Sequence, residues 1–181
     1  MARYTLIVGT RSWSSWSLRP YVALKARGAP FEVADIRLRQ TDAPTTREQI
    51  LKHSPAGKVP VLKIHEGENT LIVWDSLAIC EALAERHPEA GLWPRDLNTR
   101  AIARSYCSEM HSGFPDLREQ LSMDFVRKKA LPELRDDTKI QIARIIGYGC
   151  QVKCRILKQV TEYCPQELGL GMRIRAEFNQ L

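Results

Sequence analysis

An alternation that stops abruptly constrains the fold of this chain more than any single residue does. Up to about residue 87, apolar runs of strand length alternate with helical patterns; past residue 94 only helical periodicity is left. Tyr4-Thr5-Leu6-Ile7-Val8-Gly9 is a short apolar run closed by glycine, the pattern of a buried strand. The small polar stretch Thr10 to Ser15 leads into a helical pattern with Leu18, Val22 and Ala26 on one face, stopped at Gly28. Phe31 to Leu38 follows as a second strand. Its apolar phase shifts from Phe31/Val33 to Ile36/Leu38, which predicts a bulge or burial on both faces. These segments make a βαβ unit of the expected size.

Thr45 to Lys52 reads as a short polar helix, with Thr45 as cap and Glu48 at capping-box spacing. Pro60–Ile64 and Leu71–Trp74 are strands joined by the turn-like Glu66-Gly67-Glu68-Asn69, and they pair as a hairpin. Asp75-Ser76 opens a helix through Arg86 that faces inward with Leu77, Cys80 and Leu83 or Ala84. Pro88 to Pro94 carries proline and glycine and marks a linker, which sets domains at 1–87 and 95–181 with 88–94 between them. Beyond it, Asp96 to about Phe125 reads as one long helix kinked at Pro115. A second runs from about Glu133 to Gly147 with Ile142, Ile145 and Ile146 in its core stripe. Val152, Ile156, Val160 and Tyr163 keep a helical period until Pro165, and Leu168, Leu170, Met172 and Ile174 alternate along an extended tail. The fold class is α+β: a βαβ-α-ββα order, which is that of a thioredoxin-like domain, and then an all-α domain.

Composition removes several function classes. The 181 residues carry 27 basic and 21 acidic side chains, a charge of +6 spread along the chain with no Lys/Arg run longer than three. That is a solvated surface rather than a nucleic-acid groove. No apolar stretch is long enough for a membrane span, and Thr5–Val8 is too short for the core of a secretion signal, so the expectation is a soluble, cytoplasmic chain. Five cysteines (Cys80, Cys107, Cys150, Cys154 and Cys164) are an odd number, against a disulfide framework. His53, His65, His87 and His111 show no metal spacing, and Cys150, Cys154 and Cys164 lack a fourth ligand in range. There is no P-loop and no Gly-x-Gly-x-x-Gly.

Four segments carry the chemistry. Trp13-Ser14-Ser15-Trp16-Ser17-Leu18-Arg19-Pro20 sits at the first strand-to-helix turn; Ser54-Pro55-Ala56-Gly57-Lys58-Val59-Pro60-Val61-Leu62 enters the third strand. Asp75-Ser76-Leu77-Ala78-Ile79 opens the third helix, and Ala90-Gly91-Leu92-Trp93-Pro94 ends the linker. Together they resemble the glutathione S-transferase family, closest to its serine-dependent, zeta- or theta-like bacterial members. The resemblance runs from about Tyr4 to Gly147, motif by motif up to Pro94 and only in helical texture beyond.

The resemblance implies a role for each motif. Ser14 matches the serine that follows the aromatic residue of this turn and holds the glutathione thiolate; Ser15 is the runner-up. A hydroxyl at a helix N-terminus donates to the sulfur while the helix dipole adds positive potential, and both lower a thiol pKa. The same serines are ordinary helix caps, and a cap is compatible with a donor. Trp16 is counted with the glutathione-binding residues, although Trp13, Trp16, Trp74 and Trp93 also read simply as core or hinge packing. In the family the Val59–Pro60 bond is cis and leaves the preceding N–H and C=O to pair with the cysteinyl backbone of glutathione. Ser76 would hold the γ-glutamyl carboxylate at a helix N-terminus, and Asp75 or a partner's carboxylate the α-ammonium. Lys58, His53 and Lys52 are candidates for the glycine carboxylate, with Arg19 as a further cation or a structural ion pair. Serine stands at both positions of the Cys-x-x-Cys pair of redox relatives of this fold, so thiol–disulfide exchange is excluded here.

The implied activity is conjugation of glutathione, as co-substrate, to a small hydrophobic electrophile by a homodimer, without nucleic acid or membrane. A glutathione-dependent isomerase or dehalogenase, or a non-catalytic binding module on the same scaffold, are the alternatives. The pattern departs after about residue 148, where no Ser/Thr-x-x-Asp box follows Gly147 and three of the five cysteines lie. The expectation is an incomplete helical domain, through truncation, frame alteration or divergence, with apolar surface left exposed.

Overall fold

The computed structural model describes residues 3–26, 28, 30–126, 130 and 132–151. Chain contacts divide it between Leu92 and Trp93, inside the stretch read as a linker. The first unit contains strand β1 (Arg3–Gly9), helix α1 (Ser15–Ala26), β2 (Glu32–Ile36), α2 (Thr46–Leu51), β3 (Val61–Glu66), β4 (Asn69–Trp74) and α3 (Ser76–Arg86), closed by a 3₁₀ turn at Pro88–Ala90. This is the thioredoxin-like arrangement expected from the segment order.

Its sheet has the order β2-β1-β3-β4. β1 and β2 are parallel from Thr5↔Glu32 to Gly9↔Ile36, with α1 as the crossover. β3 runs antiparallel to β1, Ile7 facing Val61, and β4 antiparallel to β3, Val61 facing Trp74. The β2 register is unbroken, so the phase shift read in the sequence is not a bulge. Val33 and Ala34 are both half-buried, as burial on two faces requires.

Alternation along the strands supplies two apolar faces. Ile7, Ile36 and Val61 cluster with Ile50 of α2, and Ala34 and Val59 pack against them. Tyr4, Leu6 and Val8 point the opposite way and are 1% exposed or less. On that side α1 and α3 pack together and contribute Tyr21, Leu24, Ile79 and Leu83, all fully buried. Each such side chain contributes roughly 1.5–3 kcal/mol relative to exposure. The Thr45 box forms as read: Glu48 N–H donates to Thr45 Oγ1 at 3.3 Å and Thr45 N–H to Glu48 Oε2 at 2.7 Å. Gly67, at φ +60°, takes the first position of the two-residue hairpin loop, where a side chain would be strained.

α1 is rotated from its sequence reading, while α3 buries Leu83 as read but turns Ile79 and Ser76 inward ahead of Leu77 and Cys80. α1 buries Ser17, Pro20, Tyr21, Ala23 and Leu24, while Val22 is 39% exposed. α3 buries Ser76, Ile79 and Leu83 and leaves Leu77 and Cys80 half-buried. In each case the buried stripe includes a serine, which a pattern drawn through apolar residues alone passes over.

The second unit contains α4 (Leu97–Ser112), α5 (Pro115–Gln120) and α6 (Asp136–Gln151). The single long helix expected from Asp96 to Phe125 is broken rather than kinked. Pro115 disfavours helical backbone at the residue before it, and Phe114 adopts a left-handed φ of +64°. Asp96 caps α4 by accepting from Thr99 N–H at 2.8 Å. Arg118 donates to Gly113 O at 3.0 Å and to Met110 O, taking up carbonyls that the break leaves open. Arg144 meets Glu109 through two bonds of 2.8 and 2.9 Å, and Thr138, fully buried, donates to Gln120 Oε1 at 2.6 Å. Ile142 and Ile145 are half-buried, but Ile146, expected in the core stripe, is 64% exposed.

Among the described residues, Cys80 and Cys107 form no disulfide, no helix is long and apolar enough to cross a membrane, and no acidic, His and Cys side chains gather as a metal site. The helical period at Val152–Tyr163, the stop at Pro165, the Leu168–Ile174 alternation, Cys154 and Cys164, and the side chain of Cys150 lie outside the residues described.

Candidate functional site

Strand register gathers the expected motifs. Ile7 faces Val61 and Val61 faces Trp74, so the C-terminal end of β1, the start of β3 and the end of β4 share one sheet edge. The turn carrying Ser14, the Val59-Pro60 segment and the Asp75-Ser76 corner therefore emerge side by side.

The first turn is tight. Thr10 O accepts from Trp13 N–H at 3.0 Å and Ser14 N–H at 2.9 Å, and Thr10 Oγ1 accepts from Leu38 N–H at 2.9 Å. Ser14 is 5% exposed and caps α1, accepting from Ser17 N–H at 3.3 Å. Its hydroxyl donates inward to Ser17 Oγ at 2.7 Å, and Ser17 Oγ also accepts from Gly9 N–H at 3.1 Å. Ser15 begins α1, half-buried, and its hydroxyl has no hydrogen bond among the described residues. Beside the turn, Arg11 clamps Asp35 with bonds of 2.7 and 2.5 Å. Trp16 is half-buried under the Arg19 guanidinium, 4.3 Å from its ring centroid. Trp13 pairs likewise with Arg39 at 5.2 Å, and Trp74 is 44% exposed, so these rings stand around the edge rather than in the core.

At the start of β3 the Val59–Pro60 bond is cis. Val59 is half-buried, Pro60 is buried, and no described hydrogen bond uses the Val59 N–H or C=O. Lys58 is exposed. His53, half-buried just past α2, has its pKa pushed down by burial first, then by Lys63 and Lys52. Its Nδ1 is buried without a hydrogen-bond partner among the described residues.

The third corner is the most strained. Asp75 has φ +75° and ψ 133°, a region that costs of order 1–3 kcal/mol for a residue with a side chain. Its Oδ1 caps α3 by accepting from Leu77 N–H at 2.8 Å and Ala78 N–H at 3.2 Å. Ser76, next in line, is 1% exposed, and its buried hydroxyl has no hydrogen-bond partner among the described residues. Such an orphan costs about 1–3 kcal/mol and calls for an explanation; a helix N-terminus that takes an anion is one.

Sequence reading missed Ser17 and the Arg11–Asp35 clamp. Ser17 lies three residues after Ser14, the spacing of a cap to its third helical residue, which is the signal that was there to use. The clamp joins residues of two strand ends and has no local signature.

Residues 13–86 match the family model described as the N-terminal domain of glutathione S-transferases. The chain belongs to the glutathione S-transferase family. The chain is 30% identical to a zeta-class glutathione S-transferase of Euphorbia esula, over 66% of this chain and 51% of that one. It is also 30% identical to the maleylacetoacetate isomerase of Mus musculus, over 85% of this chain and 66% of that one. The chain thus spans roughly half to two thirds of the length of these relatives. Among solved structures, a maleylacetoacetate isomerase from Anaeromyxobacter dehalogenans, with bound dicarboxyethyl glutathione and citrate in its active site, matches at TM-score 0.52 and 29% identity, covering 79% of this chain and 61% of that one. An omega 2S glutathione transferase from Trametes versicolor shares the fold at TM-score 0.62 and 21% identity, covering 82% and 62%.

Proposed function

We propose that this chain binds glutathione along the edge formed by Ser14, Val59 and Ser76, and conjugates its thiolate to a small hydrophobic electrophile. The observation that carries the reading is the buried, unpartnered hydroxyl of Ser76 at the N-terminus of α3, next to the strained Asp75. A γ-glutamyl carboxylate supplies the missing acceptor, and the exposed amides of the helix end favour its charge. The open backbone groups of Val59 suit pairing with the cysteinyl unit in the manner of an added strand. Lys58, exposed to solvent, is the cation for the glycine carboxylate, with His53 as a further candidate donor. Trp16, stacked with Arg19, forms the rim beside the sulfur.

The chemistry asks two things of these residues: to place two reactants together and to keep one thiol ionised. A new C–S bond forms from the thiolate lone pair, and the leaving group departs with the bonding pair of the attacked carbon. Ser14, turned outward, or Ser15, whose hydroxyl is already uncommitted among the described residues, donates to the sulfur. A second reading is a glutathione-dependent isomerisation, in which the same C–S bond forms and later breaks; the maleylacetoacetate isomerases among the relatives favour it. A cytoplasmic homodimer belongs to the proposal, with Leu71, Ile72 and Trp74 of β4, all more than a third exposed, as apolar surface for a partner.

A glutathione titration followed by thiolate absorbance near neutral pH is the test, together with retention on immobilised glutathione. Retention with an ionised thiol is expected, and Ser14→Ala should lower kcat/KM roughly 10²-fold, the usual loss for one donor to a reacting anion. Unchanged conjugation in Ser14→Ala, with loss in Ser15→Ala, moves the role to Ser15. Absence of retention overturns the glutathione site and leaves a binding module.

A further inference from the structure

We propose that Ser17 is a positioning residue for Ser14, whose buried hydroxyl switches from acceptor to donor when a sulfur anion arrives and so releases the Ser14 proton to that anion. The inference rests on the reading of this edge as a glutathione site. It starts from a proton inventory. Ser14 and Ser17 oxygens lie 2.7 Å apart and share one hydrogen bond, because each hydroxyl brings one proton and two acceptor positions.

As found, Ser14 donates to Ser17, and Ser17 Oγ also accepts from Gly9 N–H at 3.1 Å. The proton of Ser17 itself then has no acceptor among the described residues, although Ser17 is fully buried. Exchanging the two roles mends this. Ser17 donates to Ser14, Gly9 N–H still reaches Ser17, and Ser17 N–H still reaches Ser14 Oγ at 3.3 Å. Only the Ser14 proton is left over, free to point out of the network. No proton changes owner; two O–H bonds rotate. Each arrangement thus leaves one hydroxyl proton without an acceptor, that of Ser17 in the first and that of Ser14 in the second, and an acceptor arriving at Ser14 favours the second. A thiolate at the mouth of α1 is a charged acceptor, and such bonds are roughly twice as strong as neutral ones. Through the Gly9 amide, Ser17 also fixes Ser14 to β1 and not only to its own helix end.

The test uses the full chain and two ligands. Glutathione reports the bound thiol pKa through thiolate absorbance, and S-methylglutathione, which has no thiol to ionise, reports binding by calorimetry. Ser17→Ala is expected to raise the bound thiol pKa by about one unit, tenfold in thiolate fraction, while S-methylglutathione affinity stays within about threefold. Ser17→Thr, which keeps the hydroxyl, should restore the wild-type pKa. If Ser17→Ala does not fold, Ser17→Cys keeps a weak donor of similar size and should show a smaller shift in the same direction. An unchanged thiol pKa in the Ala or Cys variant overturns the proposal, and so does a loss of S-methylglutathione affinity in step with the pKa, which would make Ser17 purely structural. Failure of the wild-type chain to bind either ligand overturns the glutathione reading instead, and this inference with it.

Discussion

The two units hold together by different means. The first has a two-sided apolar core: Tyr4, Leu6, Ile7, Val8, Leu24, Leu62, Ile64, Ile79 and Leu83 are each at most 1% exposed. In the second, Ala103 and Phe114 are the buried apolar residues among those described, while Leu97, Ile102, Ile140 and Ile146 are each more than half exposed. What joins its helices is polar and aromatic. Arg144 binds Glu109, Gln141 bridges Leu117 N–H and Asp116, Thr138 reaches Gln120, and Tyr148 packs on Tyr106 and Phe114. Apolar burial is non-directional and scales with area, so it leaves a sequence pattern; hydrogen-bonded pairs depend on tertiary geometry and leave little. This is why the first unit could be read segment by segment and the second only as helical texture.

Substitutions probe that contrast, the largest effect first and set against its control. Leu83→Ala in α3 should cost about 2–5 kcal/mol and strip amide protection from β1 and β3, read by urea titration and hydrogen exchange. Ile146→Ala in α6 should stay within about 0.5 kcal/mol; a cost like that of Leu83→Ala would show that Ile146 is covered in solution and break the contrast. Thr138→Val should cost about 1–3 kcal/mol, with the protection loss confined to α5 and α6, since it leaves Gln120 Oε1 without that donor. Thr45→Ala, which removes one half of the capping box, should cost about 1 kcal/mol and be felt at α2.

The smallest effect is one of pH. Burial and two lysines favour neutral His53 in the folded chain, so its folded pKa lies below the unfolded one. As pH falls, the unfolded chain takes up this proton first. Stability is therefore fully present above the ordinary imidazole value and is lost as pH drops through it toward the lowered folded value. The urea midpoint should fall between about pH 8 and pH 5, and His53→Gln should flatten that part of the slope.

At the candidate site the same division holds. The Trp13–Pro20, Val59-Pro60 and Asp75-Ser76 segments were legible as motifs, and the resemblance named the family that the comparisons show. The inward turn of the Ser14 hydroxyl, the lowered pKa of His53 and the rings of Trp13, Trp16 and Trp74 placed around the edge were not. The last two depend in part on what other segments bring alongside: burial and Lys63 of β3 at His53, and Arg39 over Trp13; Ser17 and Arg19 lie only three residues from the groups they meet. Helix phase was missed in α1 and only partly right in α3 for a related reason. Ser17 and Ser76 occupy buried positions that a count of apolar residues gives to their neighbours.

Local chemistry determined the element order, the Thr45 capping box, the hairpin at Gly67 and the absence of a cysteine pair at the first turn, because each depends on residues a few positions apart. Tertiary structure alone decided which faces of α1 and α3 go inside, where the long helix breaks into α4 and α5, and which hydroxyls are committed or left open. Those outcomes are set by groups that meet only after the chain has folded. A polar atom is satisfied or orphaned by whichever neighbour folding places within about 3 Å of it.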